Sequence, residues 1–96
     1  MLVKIHIMGD NEVVSVCDTN LVGKTFTEGE LELKVSEQFY KGEEKTVEEV
    51  SELIKEAKNL NLVGEESINL AEKIGILEKD NVLVIDGIPH AQLFQI

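Results

Sequence analysis

Alternation with a period of two at both ends of the chain, and helical spacing confined to its middle, restricts the fold more than any other feature. Val3, Ile5 and Ile7 share one face of an opening strand, with Lys4 and His6 on the other. Gly9-Asp10-Asn11 supplies turn chemistry, and Val13 to Cys17 reads as the returning strand of a hairpin. Asp18-Thr19-Asn20 starts a short turn or caps a single helical turn, ending near Gly23. After a turn at Thr27 to Glu30, Leu31, Leu33 and Val35 alternate with Glu32 and Lys34 as a third strand. At the far end, Val82 to Ile85 is a continuous apolar run and Asp86-Gly87 a tight turn. Ile88 to Ile96 is its partner strand, with Pro89 held to the beginning or an edge.

The middle follows a different period. Ser36 to Lys45 carries no repeat and reads as a turn that pins Phe39 and Tyr40 to the core ahead of Gly42. Thr46-Val47-Glu48-Glu49 fits a capping box, in which hydroxyl and carboxylate each satisfy the other's backbone N–H. Val47, Val50, Leu53, Ile54 and Ala57 then follow at helical spacing, with acids in the first turn and lysines toward the end. Asn59 to Gly64 interrupts this helix, and a second runs from Glu65 to Ile74 and stops at Gly75. The short link predicts an antiparallel helical pair. Strands at both ends around consecutive helices predict an α+β domain spanning residues 1–96. Its mostly antiparallel sheet of about five strands packs against that helical pair.

Composition removes several functions. Nine lysines, no arginine and nineteen acids give a formal charge of −10, and no segment is basic. Direct nucleic-acid binding is therefore not expected, because that affinity draws on phosphate neutralisation by lysine and arginine. Hydrophobic residues make up 43% of the chain, too many for a disordered acidic tail. No apolar run approaches the ~18 residues of a membrane span, and the first eight residues lack the features of a signal peptide. A lone cysteine rules out an internal disulfide and a four-cysteine zinc site, and the expected setting is cytoplasmic.

Individual motifs carry opposed readings. Gly23-Lys24-Thr25 echoes the end of a phosphate-binding loop, but Asp18 stands where that loop needs glycine. A loop lysine packed on Phe26 is the plainer account. Cys17 at a strand end is a buried small hydrophobe or, with His90 and Asp18 beside it, a catalytic group. His6, His90, Cys17 and Asp18 match no zinc spacing, so neither metal nor cofactor is expected. In Gly87-Ile88-Pro89-His90-Ala91-Gln92, an extended backbone projects His90 and Gln92 to one side. Asn61-Leu62-Val63-Gly64-Glu65 reads as an inter-helix turn or as part of a binding surface.

Taken together, these strings resemble the archaeal domain-of-unknown-function family 424. The resemblance rests on Cys17-Asp18, Leu21 to Phe26, Glu28 to Leu31, Phe39-Tyr40, Gly42, Asn61 to Glu65 and Gly87 to Gln92. It spans nearly the whole chain and implies a small archaeal α+β protein without implying an activity. It also raises the standing of Asp18, Lys24, Thr25, Tyr40, Asn61, Glu65, His90 and Gln92, whose polarity packing alone does not explain.

The expectation is a non-enzymatic binding module docking on a larger archaeal complex, with translation machinery favoured by the resemblance. Acidity points to a basic protein partner, such as a ribosomal protein or initiation factor. The binding residues would be Lys24, Thr25, Tyr40, Asn61, Glu65, His90 and Gln92. The alternative is a small enzyme using Cys17 or His90, oriented by Asp18 or Glu65.

Overall fold

Two-residue turns set the frame of the domain, and the computed structural model describes residues 1–95 of it. Strands β1 (Leu2–Met8) and β2 (Asn11–Cys17) close at the pair Met8–Asn11, around Gly9 with φ of 63°. Positive φ at the first turn position matches the right-handed twist of the strands. Strands β3 (Thr25–Glu28) and β4 (Leu31–Lys34) close in the same way around Gly29, with φ of 62°. Strands β7 (Leu83–Ile85) and β8 (Ile88–Phe94) close through Asp86 and Gly87, both at positive φ, as the sequence predicts for this dipeptide. The end of the predicted last strand, Ile96, lies outside the described residues.

The capping box is present as predicted. Thr46 Oγ1 accepts from the Glu49 N–H, and Glu49 Oε1 accepts from the Thr46 N–H, at the start of α2 (Val47–Glu56). Ser36 caps a four-residue helix α1 (Glu37–Tyr40), which carries the two aromatics expected there. A two-residue strand β5 (Glu43–Glu44) follows and pairs with Leu2 and Val3. Helix α3 (Glu65–Lys73) ends ahead of Gly75, as expected.

Two expectations need correction. Asn59 to Gly64 is not a link between helices: Asn59–Val63 forms strand β6, at the centre of the sheet. Asn59 and Asn61 alternate with buried Leu60 and Leu62, so period two is present. Burial on both neighbouring strands outweighs the poor strand propensity of asparagine. Thr25–Glu28, half of which reads as turn, is the strand β3, with only Phe26 half-buried to mark it.

The main sheet runs β5-β1-β2-β6-β8-β7, and β3-β4 forms a separate two-stranded sheet. All neighbours are antiparallel except β2 and β6. On one face, Val3, Val14, Val16, Leu60, Leu62 and Ala91 pack against Val50, Ile54 and Ala57 of α2 and its neighbour, with Ile68 and Ala71 of α3. On the other, Cys17, Val63 and Ile85 pack against Leu21, Leu33, Val35 and Tyr40. The domain is α+β with two small cores, one on each side of a single sheet.

Candidate functional site

The catalytic reading can be judged from sheet register. Cys17 pairs with Val63, and Val63 pairs with His90. Cys17 and His90 therefore share a face but stand two strands apart, roughly 10 Å at the ~4.8 Å strand spacing. The Cys17 side chain is fully buried, and its Sγ donates to the Asp18 carbonyl at 3.1 Å. Burial, followed by the Asp18 charge, pushes the thiol up to about 12. A thiol held neutral this firmly supplies no nucleophile at ordinary pH. His90 is half-buried, and its Nδ1 meets no hydrogen-bond partner among the described residues. Burial holds the imidazole below its ordinary value, against a smaller opposing pull from the Leu83 backbone.

Asp18 has a structural task. Its Oδ2 accepts from the Glu66 N–H at 3.0 Å, and its Oδ1 accepts from the Ser67 N–H at 2.9 Å and the Ser67 hydroxyl at 2.8 Å. These are first-turn donors of α3, whose own N-cap residue is Gly64 and offers no side chain. A carboxylate from the end of β2 thus replaces the missing cap and meets the positive end of the helix dipole.

The remaining sequence-nominated residues divide into groups. Asn61 and Gln92 are register partners on β6 and β8, and Ser15 lies opposite Asn61 on β2. His90, two residues along β8 from Gln92, faces the same side, as the extended reading requires. Lys24 and Thr25 are exposed at the base of the β3-β4 hairpin. Tyr40 is buried in the second core, edge-on to Phe39, with its phenol pushed up to about 12 by burial and by Cys17. Glu65 opens α3 and lines a cleft with Ile68, Gly87 and Pro89. Asn61, His90 and Gln92 come together. Glu65 lines a cleft on the helix-bearing face, and Tyr40 is core.

Two features escape sequence reading. One is the lock on α1. Ser15 Oγ and His6 Nε2 both donate to the Phe39 carbonyl, at 3.0 and 2.9 Å, and Lys4 Nζ donates to the Gln38 carbonyl at 2.5 Å. A carbonyl only accepts, so His6 carries its proton on Nε2. Its ring stacks on Phe39 at 4.3 Å between centroids.

The other is a trough between β1 and α2. A hollow of about 780 Å³ is lined by Val3, Ile5 and Leu53, with Glu49 and Glu52 along α2 and Lys41 and Lys45 at one end. Through Ile5, Glu52 and Leu53 it joins a second hollow of about 400 Å³, bordered by Val14, Ala57, Glu12 and Glu56. The sequence places Val3, Ile5 and Ile7 on one buried face, yet only Val3 is covered; Ile5 is 47% and Ile7 75% exposed. β5 takes the edge of β1 only at Leu2 and Val3. By the alternation of the antiparallel ladder, Ile5 and Ile7 turn their N–H and C=O groups to the free edge. The sequence signal was the acidic stripe Glu49, Glu52 and Glu56 beside Leu53, which reads as an ordinary wet helix face until β1 is placed next to it.

Among the described residues, no helix is long and apolar enough to cross a membrane, and no three metal-ligating side chains converge. A family model described as a protein of unknown function, DUF424, matches residues 6–96. No curated protein matches. Among solved structures, the chain is similar to the crystal structure of an uncharacterized conserved protein from Methanopyrus kandleri. The TM-score is 0.78 and the identity 26%, over 97% of this chain and 89% of that one.

Proposed function

The chain belongs to the DUF424 family, and we propose that it is a non-enzymatic docking module that joins a larger assembly through the β1–α2 trough. The observation that carries this reading is an apolar floor at the edge of the sheet, left open beside a row of glutamates. Contiguous exposed apolar surface rimmed by polar groups marks interaction sites on small proteins. The acidic rim and the overall charge select a basic partner by steering and by rejection of acidic competitors. Ribosome-linked proteins of the cytoplasm are the first candidates, because they are basic and the family resemblance favours translation machinery. Asn61, His90 and Gln92 on the opposite face form a second, polar contact, and Lys24 and Thr25 an exposed corner beside the hairpin. The buried, neutral Cys17 and its separation from His90 argue against the thiol-enzyme alternative.

The test compares partners recovered from archaeal lysate, with and without nuclease, by the native protein and by Ile5→Ser and Glu52→Lys. Both are exposed or rim positions, and circular dichroism of each variant checks that the fold is kept before recovery is compared. Loss of one basic protein by both variants supports the reading. Equal recovery by all three proteins sinks it. Loss caused by nuclease alone shows an RNA tether instead.

A further inference from the structure

We propose that the occupant of the trough is an amphipathic helix of about three turns, basic on one flank, lying antiparallel to α2. This rests on the docking reading above and adds the form and direction of the partner segment. Length comes first. The two hollows share Ile5, Glu52 and Leu53, so the trough runs alongside α2, which at ten residues spans about 15 Å. A helix laid there, at the usual ~8–10 Å from α2, covers Ile5 and Ile7 and completes the helical layer that α2 and α3 leave unfinished over β1.

Charge sets the chemistry. Glu49, Glu52 and Glu56 stand on one stripe of α2, and Glu12 lies across from Ile7 on β2. Lysines on the flank of the incoming helix answer that stripe while its apolar side meets Ile5 and Leu53.

Direction follows from the ends of the trough. Lys41 and Lys45 border the end near the start of α2, where Glu43 and Glu49 partly offset them, whereas carboxylates alone, Glu12 and Glu56, supply the charge at the other end. The negative C-terminal pole of a helix is favoured near cations and its positive N-terminal pole near carboxylates. The occupant's N-terminus therefore lies by Glu56 and its C-terminus by Lys45, opposite in sense to α2. A strand added to the edge of β1 fits less well. β5 already fills that edge at Leu2 and Val3, and only Ile5 and Ile7 have free outward backbone groups. Its side chains on the opposite face would meet Lys4, which repels a basic segment.

The probe is a stapled synthetic helix of about 14 residues, leucine on one face and lysine on the flank. It is titrated into the isotope-labelled full chain and carries a nitroxide at one end or the other. The expected result is amide shifts at Ile5, Val14 and Leu53. The N-terminal label should broaden Glu12 and Glu56, and the C-terminal label Lys41 and Lys45. A glutamate version of the peptide should bind at least about tenfold more weakly, the contrast narrowing as salt is raised. Reversed broadening, tighter binding of an unstapled proline-containing peptide of the same composition, or no movement of the trough amides overturns the inference. If Ile5→Ser and Glu52→Lys lose the lysate partner while the stapled helix leaves the trough unmoved, docking stands and the helical occupant falls. If neither effect is seen, both fall.

Discussion

The carboxylate of Asp18 fills the space that a side chain on Gly64 would need. Gly64 also has φ of 106°, a region L side chains rarely adopt. The two residues work as one unit: the glycine keeps the site open, and the aspartate reaches into it to cap α3.

Asp18→Ala leaves two backbone N–H groups and the Ser67 hydroxyl without their acceptor. The expected cost is about 1–3 kcal/mol in urea unfolding, with Gly64→Ala at least as damaging. A loss under about 0.5 kcal/mol for both would show that α3 caps itself.

Alkaline pH should destabilise the protein across a defined window. Cys17 is raised from 9.0, and Tyr40 from 10.0, to about 12. A group with a raised folded value contributes stability that is whole below its unfolded value and lost as pH rises through the folded one. Stability should therefore fall between pH 9 and 12. Tyr40 is the sole tyrosine, so phenolate absorbance follows it directly. Ionisation near 10 with native circular dichroism intact would contradict the buried placement.

His90 shifts the opposite way, below its ordinary 6.5. The unfolded chain binds this proton more readily, so stability is complete above pH 6.5 and declines as pH falls through that value. His90→Gln should flatten the slope of stability against pH on the acid side. An unchanged slope between pH 7 and 5 would remove His90 as its source.

Ser15→Ala removes one of two donors to the Phe39 carbonyl, and His6→Ala removes the other together with a ring stack. Each change should cost about 1 kcal/mol. The sharper readout is hydrogen exchange: the Tyr40 and Lys41 amides, bonded into α1, should lose protection before those of β2. Equal loss in both segments would mean that α1 is not held separately.

What the sequence disclosed was local. The capping box at Thr46 and Glu49, the Asp86-Gly87 turn and the Val3 to Cys17 hairpin all concern residues near one another in the chain, where period and turn chemistry operate. Strand β6 was hidden because Asn59 and Asn61 argue against a strand until both neighbours are in place. The role of Asp18 was hidden because its partners lie 48 and 49 residues away. His90 and Gln92 were placed on one side correctly, but the pairing of Asn61 with Gln92 needed the sheet order. The trough was illegible for the same reason: Ile5 looks like core until β5 is seen to stop at Val3.

The parallel register of β2 with β6 also bears on how the chain reaches its native state. The three hairpins need only short loops and can form within about 1–10 μs each. Joining Cys17 to Val63 demands closure of everything between them, including α1 and α2. That long-range step is expected to limit the folding rate, and the Asp18 cap cannot form before it. Helix α3 is therefore fixed late, by a residue that left the ribosome well before it.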